Sequence, residues 1–398
     1  MQKENSKPKL LTFEFVGLCI VGFFAFCNLT VFYDLFNYLQ LLGIPAEMRG
    51  LVIGAYSLTA MVLYLTASPF VSTANAHRVI LLGMAILAVC GVSYLVVHSL
   101  WGLLALRIIS GAGQFFMGAG TMALFVATIP HERSGHAFGI YSVSMLVAYG
   151  LVPTVMDALA PFIPSPPHGY AGATLSLIPA AYIVVKIRRR LRIRLSGAMP
   201  ASQPPSWPDI RENVTQLPIA LLILLNMSYF ANWSSLFFLF KGFAHEQHIP
   251  NVGIFFSVQM GTMIIIRVLA GRLFDELDKA RLVVGSFLTV AAGHFALGHL
   301  PGTWAVPLVG ILFGAGMGAG YPAINGLMFQ LSPARFRSLN ANLMLFAVQA
   351  GFFIGPVIGG ALVARHNYSG YFQASIGLSI MAALACTLLS RSTGHQAV

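Results

Sequence analysis

The stretch GFFIGPVIGG, residues 351–360, holds four glycines and a proline inside a long apolar run. In a water-exposed helix Gly and Pro cost roughly 1 and 3 kcal/mol against Ala. In lipid the same residues are useful, because small side chains let helix backbones approach closely and packing drives association. Gly351, Gly355 and Gly359 recur at i, i+4 and i+8 on one helical face, and Pro356 removes a backbone hydrogen bond and permits a bend. A flat face that flexes suits the contact between two moving halves; a static packing groove is the alternative.

Composition extends this reading to the whole chain. Of 398 residues 57% are hydrophobic and 9% charged, against about 25% charged in a soluble domain. Apolar runs long enough to cross a bilayer recur at 11–38, 50–70, 79–97, 101–125, 137–160, 170–187, 217–241, 251–271, 282–300, 304–329, 338–363 and 370–390. They lack the short period-two alternation of a membrane β-barrel, so helices must satisfy the backbone. The expected fold is an all-α membrane protein of twelve transmembrane helices.

The formal charge of +11 is topological. With the N-terminus inside, all but five of the 23 Lys and Arg fall in inner segments; Arg49, Lys241 and Arg365 lie outside, and Arg107 and Arg267 within spans. That bias places both termini in the cytoplasm, with the bacterial inner membrane as the expected location, and argues against a nucleic-acid partner. Lys3, Lys7 and Lys9 precede a first run with no cleavage site after it, so that run reads as uncleaved. Cys19, Cys27, Cys90 and Cys386 sit in apolar runs without metal-ligand spacing and read as small core residues.

The inner loop 188–216 begins RRRLRIRL and turns Pro/Ser-rich. It reads as a linker between halves 1–187 and 217–398, its basic run serving as an orientation signal, with an anionic-lipid site as the alternative. Shifting the numbering by 203 lays Gly111-Ala112-Gly113 on Gly314-Ala315-Gly316, Pro153 on Pro356 and Arg78 on Arg281. Duplicated six-helix bundles related by a pseudo-two-fold axis along the membrane normal are a transporter architecture.

On these motifs the chain resembles the major facilitator superfamily over essentially its whole length. Gly351-x-x-x-Gly355-Pro356-x-x-Gly359-Gly360 resembles that family's antiporter motif, although it stands in span 11 instead of span 5; the span 5 counterpart AYGLVPTVMD keeps only Pro153. The loop GRLFDELDKAR resembles the family's gating loop through Gly271, Arg272, Asp275, Lys279 and Arg281, whereas its first-half copy SPFVSTANAHR has Ser68 and Ser72 at the glycine and acid positions. LRIISGAG resembles the span 4 motif and puts Arg107 at its arginine. The resemblance implies alternating access, with Gly351, Gly355, Pro356 and Gly359 toward the other bundle and the charged loop as a gate.

Ionisable groups at membrane depth are costly and mark function. Glu14, Asp34 and Asp157 are the acids placed within spans, the first and last near span ends. Asp34 and Arg107 lie at depths differing by only about 3 Å. An Asp34–Arg107 pair that separates on conformational change would carry a proton; a permanent ion pair is the alternative. Gln114, Asn226, Trp233, Tyr321 and Asn325 are the polar and aromatic residues expected at a midplane substrate site, each alternatively an interhelical hydrogen bond. Arg267 near the inner end of span 8 reads as snorkelling.

His245, Glu246 and His248 in an outer loop do not make a metal site, and no GxxxxGK[ST] loop points to ATP. No nucleophile elbow or paired carboxylates indicate an enzyme, and no cofactor is expected. The expected function is a secondary transporter, acting as a monomer in membrane lipid, that exports a small-molecule organic substrate by proton-coupled alternating access. Proton-coupled uptake, facilitated diffusion of a metabolite, or a non-transporting sensor are the alternatives.

Overall fold

The computed structural model describes residues 11–67, 70–129, 134–191, 207–269, 277–333 and 336–394. The first bundle consists of α1 Phe13–Leu41, α2 Ala46–Thr66, α3 Ala76–Ser93, α4 Leu100–Thr128, α5 Ser134–Leu159 and α6 Pro166–Arg188. The second consists of α7 Leu217–Glu246, α8 Gly253–Leu269, α9 Lys279–Gly298, α10 Val306–Leu331 and a long helical stretch Arg337–Gly394. That stretch is two helices, because Asn367 has φ 58° and ψ −172°. A Cβ on Gly359 would lie 3.5 Å from the Tyr371 ring, whereas residues twelve apart in one helix are about 18 Å apart. The chain therefore reverses between α11 (337–366) and α12 (368–394), giving twelve crossings. The first and last described residues, Leu11 and Gly394, lie at one end of the bundles, called here the terminal end; the opposite is the far end.

Local chemistry sets several starts. Thr12 caps α1 through the Phe15 N–H at 3.2 Å, and Asp278 caps α9 through the Ala280 N–H at 2.8 Å. Pro218 and Pro307 occupy first turns of α7 and α10, where a missing N–H costs nothing. Hydropathy misplaces one boundary that matters: α7 runs past Lys241 to Glu246, so Lys241 is within the helix and not in an outer loop.

The duplication is visible in atomic contacts. Gly111 of α4 lies against Tyr56 and Thr59 of α2, and Gly314 of α10 against Gln259 and Thr262 of α8. Gly113 lies against Gly83, Ile86 and Leu87; Gly316 against Ser286, Thr289 and Val290. Every one of these pairs is offset by the same 203 positions. In each case the glycine allows one helix to rest on a neighbour's backbone, since a Cβ on Gly314 would come within 2.6 Å of the Gln259 carbonyl oxygen.

Two symmetry-related seams join the bundles, α2 with α11 and α5 with α8. Gly50 rests on Pro356 and Val357; Gly253 rests on Pro153 and Thr154. The offset is again 203, so the seams are copies with the partners exchanged. This corrects one expectation. Gly351, Gly355 and Gly359 do not face the other bundle but pack on α7 of their own, against Phe230, Ala231, Ser234 and Leu239. The inter-bundle face of α11 is the adjacent one, carrying Phe353, Pro356, Val357 and Gly360.

One buried apolar core runs through both bundles in the far half, from Leu29, Phe32 and Tyr149 to Phe237 and Phe256. In the terminal half, Phe15, Leu18, Ile80, Phe125 and Val184 form a core closed within the first bundle. The halves are thus joined at the far end, and no shared core joins them at the terminal end among the described residues. A linker helix, Trp207–Val214, docks on the second bundle, where Asn213 donates to Asn340 and Asn340 donates to the Ser332 hydroxyl at 2.7 Å.

Candidate functional site

At the far end, four side chains from three helices converge. A 3₁₀ turn, Val31–Asp34, interrupts α1 and presents Tyr33 and Asp34; the last turns of α5 present Asp157; the extension of α7 presents Lys241. Lys241 Nζ lies 3.2 Å from Asp34 Oδ2 and 3.2 Å from Asp157 Oδ1. It also donates to the Tyr33 hydroxyl at 2.9 Å, and that hydroxyl donates to Asp157. The Gly253 N–H, at the start of α8, donates to Asp157 Oδ2 at 2.7 Å, where the helix dipole favours a carboxylate. Side-chain exposures of 22%, 15% and 17% for Lys241, Asp34 and Asp157 make the cluster largely but not fully dehydrated.

The carboxylates belong to the first bundle and the ammonium to the second, so the cluster spans the division. Next to it the α5–α8 seam is polar. Thr154 donates to the Gly253 carbonyl at 2.9 Å and lies 2.6 Å from the Ser257 hydroxyl, which donates to the Gly150 carbonyl at 2.7 Å. The α2–α11 seam has none of this chemistry, because the counterpart of Asp157 there is Gly360, packed on Gly50. One pseudo-symmetric contact is a dry glycine seam; the other is a charged lock.

Asp34 therefore does not pair with Arg107. Lys241 occupies the carboxylate, while the Arg107 guanidinium turns toward α2, donating through Nη2 to the Ile53 carbonyl at 3.1 Å. It lies 4.9 Å from the Phe32 ring centre and 4.6 Å from that of Tyr56. Arg107 is 1% exposed, and its Nε and Nη1 have no partner.

The midplane residues separate into two groups. Trp233 and Tyr321 share an aromatic cluster: Trp233 stacks on Phe230 at 5.8 Å and meets Tyr149 of the first bundle at 5.6 Å. Tyr321 stacks on Tyr229 at 6.2 Å and meets Phe230 edge-on at 5.2 Å. Asn226 is fully buried and donates to the Met344 carbonyl at 2.9 Å, tying α7 to α11, while Asn325 donates to the Tyr321 carbonyl of its own helix at 2.8 Å. Half-buried Gln114 has an unpartnered Oε1. Arg267 does not merely snorkel; its guanidinium carbon lies 5.8 Å from the centre of the Tyr321 ring.

Of the gating loop, Gly271, Arg272 and Asp275 lie outside the described residues, as does Ser68 of its first-half copy. Lys279 packs its stem on Gly326, and Arg281 forms an exposed 3.5 Å pair with Asp278. Among the described residues no group of three His, Cys, Asp or Glu could hold a metal. Sequence reasoning missed Lys241, Tyr33 and the Gly253 N–H. The signal for Lys241 was the unbroken apolar run LFFLFKGFA, which continues one turn past the charge.

A sequence profile of the Major Facilitator Superfamily matches residues 18–275 and again 221–397. The quinolone resistance protein NorA of Staphylococcus aureus (strain MSSA476) is 22% identical over 347 residues, 86% of this chain and 87% of that one. The multi-drug resistance efflux pump PmrA of Streptococcus pneumoniae serotype 4 is 24% identical over 306 residues, 73% of this chain and 72% of that one. Among solved structures, the nucleoside transporter NupG superposes with TM-score 0.76 at 14% identity, covering 94% of this chain and 98% of that one. The peptide transporter POT in complex with sulfate gives 0.74 at 13%, covering 99% and 96%.

Proposed function

Because the chain belongs to the Major Facilitator Superfamily, a family of transporters and not of enzymes, we propose that it exports a small organic solute by alternating access, coupled to protons. The observation that carries this reading is the Lys241 lock. Opening the far end must draw Lys241, on the second bundle, away from Asp34 and Asp157 on the first. Two neighbouring carboxylates that lose their shared cation repel each other and bind a proton more readily. When the far end closes, the returning ammonium displaces that proton, and its release toward the terminal end completes one coupled cycle.

The export direction is supported by the relatives, NorA being named for quinolone resistance and PmrA as an efflux pump. The basic segments at the terminal end support a cytoplasmic placement of that end, and the bacterial sources of both relatives support an inner-membrane location. The test uses liposomes containing the full chain and a trapped pH-sensitive dye, challenged with a panel of small organic solutes. A solute-dependent proton flux, lost in Asp34→Asn, is expected. Solute movement that ignores the pH gradient in the wild type would make the protein a facilitator instead.

A further inference from the structure

Arg267 is a cation that the gate does not use. On α8 the residues facing lipid are Ile265 and Val268, 57% and 65% exposed. At 3.6 residues per turn Arg267 points about 130° away from the middle of that face, inward to Tyr321 of α10. Its Nε has no partner, and among the described residues it makes no ion pair. The described acids of residues 217–394 are Glu246, in the last turn of α7, and Asp278, at the start of α9. The two acids deep in the first bundle are held by Lys241. Arg267 stands in the last described turn of α8 and is turned inward, where a cation with no described carboxylate beside it is costly.

Beside Arg267 lies the cluster of Tyr321, Tyr229, Phe230 and Trp233, with Phe352 at 5.7 Å from Phe230. Trp233 is 5% exposed, yet its indole N–H has no acceptor. The unpartnered Nε–H of Arg267 and indole N–H of Trp233 therefore flank a cluster of aromatic rings, of which Phe230 and Trp233 are buried and Tyr321 is half-buried in this closed form. They offer hydrogen-bond donors and positive charge, and among the described residues no carboxylate pairs with Arg267.

We infer that Arg267 and the aromatic residues Phe230, Trp233 and Tyr321 form a binding site for an aromatic organic anion. The anionic group pairs with Arg267, and the ring lies in the cluster. This rests on the transport reading, for which it names the solute class: planar aromatic acids, with aromatic cations disfavoured.

The test is equilibrium calorimetry on the full chain in phosphatidylcholine nanodiscs, so a failure of proton coupling would leave it untouched. Three probes share one ring system and differ in charge: 2-naphthoate, 2-naphthylmethanol and 2-naphthylmethylammonium. Naphthoate is expected to bind at least tenfold more tightly than the other two. Arg267→Gln is expected to erase that preference, Arg267→Lys to keep most of it, and Tyr321→Ala to weaken the probes without changing their order. Should Arg267→Gln not fold, the wild-type charge series decides alone. Ammonium binding as tight as carboxylate, an unchanged naphthoate affinity in Arg267→Gln, or no binding of any probe up to millimolar concentration overturns the inference.

Discussion

Replacing Lys241 with Met keeps the length and apolar stem of the side chain and removes only the charge that bridges the bundles. Two contacts are lost, each at 3.2 Å, to carboxylates that are 15% and 17% exposed. Breaking a fully buried pair costs about 3–5 kcal/mol, because a charge is stranded, and an exposed pair is worth roughly 0.2–1 kcal/mol. With residual hydration, and with Asp157 still held by the Gly253 N–H and the Tyr33 hydroxyl, the closed far end should lose about 1–2 kcal/mol. That is a shift of roughly 5–30-fold in the ratio of far-open to far-closed molecules. Spin labels at Leu41 and Gln247, exposed positions on opposite bundles at the far end, report the change as a growing long-distance population. Lys241→Arg should retain most of the closed state. An unaltered distance distribution in Lys241→Met would show that the seams hold the far end shut without the lock.

The glycines divide into two classes with different outcomes. Gly50→Leu drives a side chain into Pro356 of the other bundle, so it should favour the far-open form in the same distance measurement while leaving thermal stability near wild type. Gly355→Leu strikes Ala231 and Ser234 of its own bundle; overpacking there should cost about 1–3 kcal/mol and lower the thermal midpoint with little selective effect on gating. Asn340→Leu removes the buried link between Asn213 and Ser332 and strands polar groups worth about 1–3 kcal/mol. It should raise hydrogen exchange in residues 207–214 without changing exchange in α5 or α8.

The duplication was legible because the glycine pairs that set helix contact are the same in both halves: Gly111 and Gly314 rest on Tyr56 and Gln259 at matching positions. The partner of the Gly351–Gly359 stripe was not. Small residues at i and i+4 state that another backbone comes close, not which one, and α11 has close neighbours on two adjacent faces. The Asp34–Arg107 pairing failed for a similar reason. Depth along a helix is readable from sequence, but azimuth is not, and the 3₁₀ turn Val31–Asp34 resets it for the carboxylate. Lys241 was lost because a hydropathy boundary stops at the first charge, whereas the helix stops at Glu246.

Proton linkage at the lock has a sign that can be measured without knowing the solute. If the lock carries the proton as proposed, the far-open form, in which Lys241 has left Asp34 and Asp157, is the proton-binding form, and the form that binds more protons is favoured as pH falls. Distances between labels at Leu41 and Gln247 should therefore be recorded at pH 8 and pH 5 in the wild type and in Asp34→Asn/Asp157→Asn. The double variant separates the lock from other polar groups at the far end, among them the exposed His98, His245 and His248. We expect the far-open population to grow on acidification in the wild type and to be insensitive to pH in the double variant. A wild type that ignores pH, or a double variant that keeps the full response, would contradict the lock as the site of proton coupling.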